Sequence, residues 1–255
     1  MRIIDADTHA SPNMETPFSV TCDKLVFDMD KAGVDSSIVW LQPPYMREVD
    51  PSNLHIFEGV KKYPDRLHGF GWANPHLGVE KSKETIRRCI DEYGFHGVKL
   101  NGAQDFYYID DPKMSLPLID EIAKRGKLVA FHCGSDFFEE THPFRIGKIA
   151  KMYPETTFIM IHMGGASIPD LGDAAIEIAA ENPNIMLIGS AIASRKLEKA
   201  VRVLGADRLM FGSDHPFQFM HVELARYKAL FKGVISDEDF EKIMSGNVVK
   251  LLGLK

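Results

Sequence analysis

Short apolar runs alternate with longer stretches of mixed polarity along this chain of 255 residues. Two of the runs, TFIMIHM and NIMLIGS, are almost continuously apolar, which is typical of parallel strands that are buried on both faces. Counting all such runs, the pattern predicts eight strands, in segments 2–7, 36–42, 67–73, 96–101, 127–133, 157–163, 184–190 and 208–214.

The segments between most of these strands predict helices, because apolar residues return in them at a spacing of three or four. The segment 23–33 ends at Gly33, and the segment 78–93 stops just before Gly94. Glycine at such a position favours the left-handed conformation that ends many helices. Ser236 and Asp239 form a box-like start for the last helix. Further helices are predicted over 113–125, 144–152, 170–182, 194–204, 221–233 and 236–254.

Eight β–α units favour a single (β/α)₈ TIM barrel of the α/β class, with residues 1–255 as one domain. A doubly wound sheet is the alternative, because it also alternates strands with helices. Such a sheet usually has fewer strands, and it gathers its ligands where the strand order reverses. Here polar residues follow the ends of many strands, which favours the barrel.

The composition excludes some classes of partner. The hydrophobic fraction of 45% and the charged fraction of 26% are those of a globular protein. The net charge of -6 does not give the basic footprint of a nucleic-acid-binding protein. No apolar run approaches the roughly 20 residues that span a bilayer, and no signal-peptide pattern is present. The three cysteines form no CxxC pair. We therefore expect a cytoplasmic protein with a small-molecule substrate and with no nucleic-acid or membrane partner.

The first predicted strand and the two residues after it carry Asp5, Asp7 and His9 two residues apart, so that a strand continuing to His9 would place all three on one face. Burial of two carboxylates and an imidazole is costly unless something compensates the charge. Two interpretations are open at this point. Either the strand ends at the surface, where one of the aspartates caps the following segment, or the row belongs to a functional site.

Other predicted strands also end in residues that can carry chemistry. Lys99 ends the fourth strand, His132 the fifth, His162 the sixth and Asp214 the eighth. In a barrel these positions converge at the carboxyl ends of the strands. Each residue alone has a simple structural explanation, such as a hydrogen-bonded histidine or a turn. Together, the histidines and carboxylates of this rim supply the nitrogen and oxygen ligands of a divalent metal ion.

At this point the chain resembles the amidohydrolase superfamily, and within it the amidohydrolase-2 branch related to aminocarboxymuconate-semialdehyde decarboxylase. The segments that carry the resemblance are weak individually, but they occur in family order and cover nearly the whole chain. They are IDADTH (4–9), GFHGVKLN (94–101), VAFHCG (129–134), FIMIHMGG (158–165), RLMFGSDHPF (208–217) and GNVVKLLGL (246–254).

The resemblance implies one divalent metal ion held by Asp7, His9, His132 and Asp214. His162 would lie beside the ion and polarise a substrate carbonyl or move a proton. Asp7 departs from the family pattern, which usually has His-x-His here, although part of the decarboxylase branch has glutamate. Two carboxylates and two imidazoles cancel the charge of the ion, so a bound water would be less acidic than at a three-histidine site. The added oxygen shifts preference from zinc toward manganese. We expect zinc or manganese, weakly held and exchangeable.

Other residues receive less specific predictions. Asp5 would orient a metal ligand from behind, or simply be buried against a backbone partner. Lys99 would bind a substrate carboxylate, or remain a solvated lysine. His215 and Arg145 would contact the substrate, although both also fit ordinary loop polarity. The segment 136–144 would form a partly aromatic lid.

Three functions are compatible with these features. The first is a metal-dependent hydrolase of a small, carboxylate-bearing molecule, in which Asp214 takes a proton from metal-bound water and His162 stabilises the oxyanion. The alternative is a metal-dependent non-oxidative decarboxylase of a small aromatic or unsaturated acid. A third interpretation is a barrel that has lost catalysis and serves as a binding protein. The family resemblance and modest size also fit a homodimer.

Overall fold

A computed structural model describes residues 1–12, 14, 16–42 and 49–255. In this part of the chain eight strands form one sheet in which sequence order and spatial order agree, and each pair of neighbours is parallel. The strands are β1 (Ile4–Ala10), β2 (Ser36–Leu41), β3 (Leu67–Trp72), β4 (Gly97–Leu100), β5 (Leu128–Gly134), β6 (Phe158–Gly165), β7 (Ile185–Ile188) and β8 (Leu209–Met210).

Backbone hydrogen bonds close this sheet into a barrel. The Ala6 N–H donates to the Phe211 carbonyl at 2.8 Å, and the Asp214 N–H donates to the Asp7 carbonyl at 2.9 Å. The residues that follow β8 therefore pair with β1. β8 itself is shorter than predicted, because the Phe211 N–H leaves the ladder and donates to the Ile243 carbonyl at 3.0 Å. The predicted (β/α)₈ barrel is confirmed.

Helices cover the outside of the barrel, and short ones lie in the loops at the carboxyl ends of the strands. A π-helical turn over Arg88–Glu92 extends α3, and another over Lys242–Gly246 joins α11 to α12. The helices are α1 (Cys22–Ala32), α2 (Val49–Lys62), α3 (Val79–Arg87), α4 (Gly102–Asp105), α5 (Leu116–Ala123), α6 (Phe138–Thr141), α7 (Pro143–Met152), α8 (Gly172–Glu181), α9 (Ser194–Leu204), α10 (Met220–Phe231), α11 (Asp237–Glu241) and α12 (Asn247–Leu252).

The ends of α1 illustrate why local sequence predicted most of these helices well. The Thr21 hydroxyl accepts a hydrogen bond from the Lys24 N–H at 3.2 Å, which satisfies one of the free donors of the first turn. Gly33 ends the helix with φ of 75°, a conformation that glycine adopts without a steric penalty. The predicted start at Ser236 is confirmed in the same way, since its hydroxyl accepts from the Asp239 N–H at 3.1 Å.

Helix α2 is an element that the apolar pattern missed. Its buried face includes Ser52 and Asn53, so the hydrophobic period is interrupted by polar side chains. Asn53 is buried because its amide makes two hydrogen bonds of 2.9 Å with the Trp72 backbone, one to the carbonyl and one from the N–H. A polar residue that is buried because it hydrogen-bonds to the backbone of a neighbouring strand cannot be recognised from a hydrophobicity pattern.

Two apolar layers hold the barrel together. Inward-facing residues fill the cylinder, among them Ile38, Trp40, Phe70 and Ile161, and a larger set packs between the strands and the outer helices. Full burial of a side chain such as isoleucine or phenylalanine contributes about 1.5–3 kcal/mol. The cylinder is therefore a packed core, and polar groups gather at its mouth. None of the helices in the described ranges combines the length and the hydropathy that crossing a membrane requires.

Candidate metal and substrate site

A cavity of about 150 Å³ opens at the mouth of the barrel, at the carboxyl ends of the strands. Residues from β1, β4, β5 and β6, and from the segment after β8, line it. These include His9, Lys99, Asn101, His132, His162 and Asp214. Strand ends that lie far apart in sequence therefore meet in one place, as the barrel geometry requires.

A break in the regular pairing of β1 decides which of its polar residues reach this cavity. The register between β1 and β2 shifts between Asp5 and Thr8. Ile4 and Ala6 both belong to the inner apolar layer, so Asp5, which lies between them, points to the other face of the strand. The expected common face of Asp5, Asp7 and His9 is therefore not found, because a bulge redirects the strand toward the mouth of the barrel.

Asp5 accepts hydrogen bonds from the backbone of β1 and from the backbone of the segment after β8, the two segments that meet where the barrel closes. One of its carboxylate oxygens accepts from the Asp7 N–H at 3.0 Å and from the Ser213 N–H at 2.9 Å. Burial raises the pKa of Asp5 to about 7, although these hydrogen bonds oppose the shift. Asp5 thus lies directly behind Asp7 and fixes the backbone there.

Asp7, His162 and Asp214 form a compact cluster, which we call the acid cluster. One potential ligand atom from each lies within 4.8 Å of the others. The nearby His9 Nε2 is 3.6 Å from Asp7 Oδ1 and 3.4 Å from Asp214 Oδ1. Burial and the Asp7 charge raise the pKa of Asp214 well above its usual value. Burial lowers the pKa of both His9 and His162 well below the ordinary range, so both imidazoles are neutral.

His162 and Asp214 also share an unusual backbone conformation. Their φ values are 65° and 62°, in the left-handed region that residues with a side chain rarely adopt. Such conformations cost about 1–3 kcal/mol each and persist where the surrounding structure enforces them, often at functional sites. The backbone is thus strained at both residues that present their side chains to the cluster, within β6 at His162 and after β8 at Asp214.

Ser190, immediately beyond β7, connects two members of the acid cluster. Its hydroxyl donates to Asp7 Oδ2 at 2.5 Å and lies 2.8 Å from His162 Nδ1. The sequence interpretation did not include this residue, although the predicted seventh strand ends at it. A polar residue at a strand end was the available signal, and it was overlooked because serine alone is not a common metal ligand.

His9 has the hydrogen bonds that orient a metal-binding imidazole. Its Nδ1 lies 2.9 Å from the Leu41 carbonyl, so Nδ1 carries the proton and Nε2 carries the lone pair. The Trp40 indole N–H donates to this Nε2 at 3.2 Å. In this structure the predicted ligand atom therefore accepts a weak hydrogen bond from a buried tryptophan.

His132 is close to the acid cluster but has a different partner. Its Nε2 lies 3.0 Å from Asp136 Oδ1, and its ring centre is 4.9 Å from that of His162. Burial opposes ionisation of Asp136, yet the hydrogen bond with His132 lowers its pKa overall. Asp136 begins the predicted lid segment and was not predicted as a site residue. Its spacing of four from His132 would have been the signal.

Lys99 projects from β4 and lines the same cavity. It is almost fully buried, with 1% of its surface exposed. Its ammonium nitrogen lies 4.5 Å from the Trp40 ring centre and 5.2 Å from that of Trp72, which stabilises the cation electrostatically. Burial lowers the pKa of Lys99 to about 8, while Asp7 and Asp214 oppose the shift. Lys99 is therefore a buried cation and not a solvated surface lysine.

Asn101 lies two residues after Lys99 and lines the same cavity. Its Oδ1 caps α4 by accepting from the N–H groups of Ala103 at 3.1 Å and Gln104 at 3.2 Å. This cap fixes the orientation of the amide, so the Nδ2 donor points the other way. Within the described ranges this buried donor has no hydrogen-bond partner. Such an unsatisfied group costs about 1–3 kcal/mol, and a bound ligand would remove that cost.

His215 and Arg145 do not line the cavity. His215 Nε2 lies 3.3 Å from Asp28 on α1. Arg145, at the start of α7, donates to Asp110 at 2.6 Å and to the Glu139 carbonyl at 2.6 Å. The structure thus places both residues at the periphery of the barrel mouth, in contact with neighbouring elements.

The residues of the acid cluster fit a divalent cation. Asp7 Oδ1 is fully buried and, within the described part of the chain, has no hydrogen-bond partner. Two buried carboxylates repel each other unless a positive charge lies between them or one takes a proton. Carboxylate oxygens with neutral imidazole nitrogens are the ligands that manganese and zinc accept. A cation would therefore satisfy the orphaned oxygen and remove the repulsion.

Comparison with known proteins agrees with the fold. The profile of a family described as Amidohydrolase matches residues 4–254. The 2-amino-3-carboxymuconate-6-semialdehyde decarboxylase of Dictyostelium discoideum is 24% identical over 237 residues, which are 79% of this chain and 65% of that protein. This chain therefore spans slightly less than two thirds of that relative. The gamma-resorcylate decarboxylase of a Polaromonas species is 25% identical over 295 residues, covering 91% of this chain and 87% of that protein.

A solved structure extends the likeness to the whole barrel. The 5-carboxyvanillate decarboxylase of Novosphingobium aromaticivorans, complexed with manganese and 4-hydroxy-3-methoxy-5-nitrobenzoic acid, superimposes with a TM-score of 0.81. The two share 17% identity, over 99% of this chain and 96% of the other. The family resemblance inferred from sequence is confirmed. The first expectation for function, a hydrolase, is wrong, because these named relatives are decarboxylases.

Proposed function

The chain belongs to the amidohydrolase family, and on that premise we propose that it is a metal-dependent non-oxidative decarboxylase of a small aromatic or unsaturated carboxylic acid. One observation carries the proposal: the buried Lys99 and Asp214 line one small cavity, and Asp214 clusters with the buried Asp7 in an arrangement suited to a cation. The named relatives support the same chemistry.

Asp7, His162 and Asp214 would hold the metal ion, with His9 adjacent to both carboxylates. When bound, a manganese or zinc ion would gather substrate oxygens and withdraw negative charge from them. Asp5 keeps Asp7 in place through the backbone, and the Leu41 carbonyl orients His9.

Lys99 and Asn101 would bind the acidic end of the substrate. The ammonium neutralises a carboxylate, and the unsatisfied Asn101 amide donates to one of its oxygens. The cavity volume of about 150 Å³ accommodates one ring, since an apolar cavity of that size in another protein holds benzene. Phe217 lines the mouth and helps to exclude water.

Asp214 would deliver the proton that the reaction needs. The bond between the substrate carbon and its carboxylate breaks, and CO₂ leaves without the bonding electrons. That pair forms a C–H bond with the proton from the Asp214 carboxyl, which solvent then replaces. Asp214 is assigned this role because it lines the cavity and retains 9% exposure, whereas Asp7 is completely buried. His162, a neutral member of the acid cluster, would bind the ion as a nitrogen ligand.

A panel of small acids tests this function. The manganese-loaded protein would be incubated with 2,6-dihydroxybenzoate, 5-carboxyvanillate and unsaturated dicarboxylic acids, and CO₂ would be measured. In D₂O each turnover should place one deuterium on the carbon that carried the carboxylate, and no oxygen from labelled water should enter the organic product. Release of a hydrolysis product without CO₂ would contradict the proposal. Tight binding of acids without any turnover would favour the catalytically inactive barrel.

The homodimer and the cytoplasmic location remain predictions. Sedimentation of the purified chain at several concentrations would test the first, and imaging of a tagged full-length chain in its own cells would test the second.

A further inference from the structure

Ser190 occupies a position between two members of the acid cluster that come from different strands. It is completely buried, and its hydroxyl lies within hydrogen-bond distance of Asp7 Oδ2 and of His162 Nδ1. Asp7 and His162 themselves are 3.5 Å apart through the same two atoms. One hydroxyl therefore connects β1, β6 and β7 at the level of the candidate metal ligands.

Proton counting gives this connection a direction. An ionised carboxylate can only accept hydrogen bonds, and a hydroxyl has a single proton to donate. Ser190 thus donates to Asp7 and must accept from His162, which places the imidazole proton on Nδ1. His162 Nε2 then carries the lone pair. Since Ser190 occupies Asp7 Oδ2, the buried Oδ1 is the carboxylate oxygen that remains without a partner in the described chain.

We propose that Ser190 is a positioning residue that presents one oxygen of Asp7 to a divalent cation and holds His162 in a single tautomer. The aspartate at position 7 has a second oxygen that needs a donor. Ser190 supplies that donor. Partners of this kind typically change metal affinity 10- to 100-fold when they are removed. The inference rests on the metal-holding role given to Asp7, and it does not depend on decarboxylation.

Manganese binding to the full chain tests the first half of the proposal. Ser190→Ala removes the hydroxyl, Ser190→Thr keeps it, and Ser37→Ala is the matched control. Ser37 is an equally buried serine, and among the described residues its hydroxyl contacts only Met29 and Thr8. By isothermal titration calorimetry, Ser190→Ala should bind Mn²⁺ about 10- to 100-fold more weakly than the unmodified chain. Ser190→Thr should regain most of this loss, and Ser37→Ala should bind normally.

Nitrogen NMR of the histidine side chains in the metal-free protein tests the second half. The unmodified chain and Ser37→Ala should show His162 as the Nδ1–H tautomer, whereas Ser190→Ala should show a mixture or the Nε2–H form. The proposal is overturned if Ser190→Ala matches Ser37→Ala in both measurements, or if the unmodified chain binds no Mn²⁺. If binding and tautomer follow the expectation but no acid loses CO₂, the proposed reaction fails while this inference stands.

Discussion

The ammonium nitrogen of Lys99 lies 4.5 Å from the centre of the Trp40 ring. The indole N–H of the same tryptophan donates to His9 Nε2. Trp40 therefore contacts both halves of the site: its ring face holds the cation of β4, and its edge occupies a nitrogen suited to a metal. A ligand that binds His9 Nε2 has to displace the indole N–H, so we expect binding there to be coupled to the environment of Lys99.

Manganese should change the fluorescence of Trp40. A cation that binds His9 Nε2 displaces the indole N–H and brings a paramagnetic ion close to the ring. The chain has two tryptophans, so Trp72→Phe and Trp40→Phe isolate each one. We expect Trp72→Phe to keep most of the change and Trp40→Phe to lose it. Reversal by EDTA would agree with a weakly held ion, and a signal that comes mainly from Trp72 would contradict the coupling.

Substitution of Lys99 should lower the affinity of the protein for its substrate. Lys99→Met keeps the apolar stem and removes the ammonium, so the substrate carboxylate loses its charged partner. Hydrogen bonds to charged groups are worth about 1.5–3 kcal/mol, which corresponds to about a 10- to 150-fold loss of affinity. Calorimetry with 2,6-dihydroxybenzoate measures it. Lys81→Met, a change at an exposed lysine, is the control, and an equal effect of both would contradict the assignment.

Asn101→Asp should separate the two functions of the Asn101 side chain. The carboxylate keeps an oxygen that can cap α4, so the melting temperature should stay within a few degrees of the unmodified value. The donor that faces the cavity is replaced by a negatively charged acceptor, and binding of an anionic ligand should fall about tenfold or more. Unchanged affinity would show that the Asn101 amide does not contact the ligand.

Asp214→Asn should abolish proton delivery while it preserves the shape of the side chain. General acids contribute about 10²–10⁴-fold to rate, so turnover of any acid found active should fall by this factor. Deuterium incorporation in D₂O would be followed together with CO₂ release. Because Asp214 is also a candidate metal ligand, Mn²⁺ content must be measured in the same sample. A variant that retains both metal and full activity would exclude Asp214 as the proton donor.

Asp105 should make stability depend on pH, at a position away from the acid cluster. Its carboxylate accepts from the Trp72 indole at 3.1 Å and from the Asn74 amide at 2.6 Å, and burial raises its pKa to about 7. The folded state therefore retains a proton between about pH 4 and pH 7 that the unfolded state has lost. The contribution of Asp105 to stability is fully present below the pKa that Asp105 has in the unfolded chain, and it is lost as the pH rises toward 7.

Urea unfolding of the unmodified chain and of Asp105→Asn at several pH values measures this effect. The unfolding free energy of the unmodified chain minus that of Asp105→Asn should fall with rising pH, by at most about 1.4 kcal/mol per pH unit. The comparison cancels the contributions of other titrating groups. A difference that stays constant across the range would mean that Asp105 is ionised in the folded state throughout.

Much of the fold was predictable because it depends on local patterns. All eight strands were placed within a few residues, and α1 ended where Gly33 indicated. Helix α2 was missed because Asn53 is buried for a hydrogen bond with the Trp72 backbone and not for hydrophobicity. β8 is short because the Phe211 N–H donates to the Ile243 carbonyl, a contact that no local pattern contains. The residues beyond β8 pair with β1 across more than 200 positions.

The candidate site was predictable in its residue types but not in its partners. Asp7, His9 and Asp214 do converge, as expected from strand ends in a barrel. Three other features depend on side-chain directions. They are the grouping of these residues with His162, the pairing of His132 with Asp136, and the burial of Lys99 between two indoles. The bulge in β1 is the clearest case, because a shift of one residue reverses the face on which every later side chain lies.

By itself, the sequence determined the alternation of strands and helices, the barrel and the identity of the residues at its mouth, because these follow from periodicity and from the order of the chain. Only the tertiary structure decided which of those residues share hydrogen bonds. Ser190 joins Asp7 across 183 positions, and Trp40 joins Lys99 to His9. Such contacts arise when the barrel closes. Closure sets the distances between side chains that are far apart in the sequence, and no local sequence pattern indicates those distances.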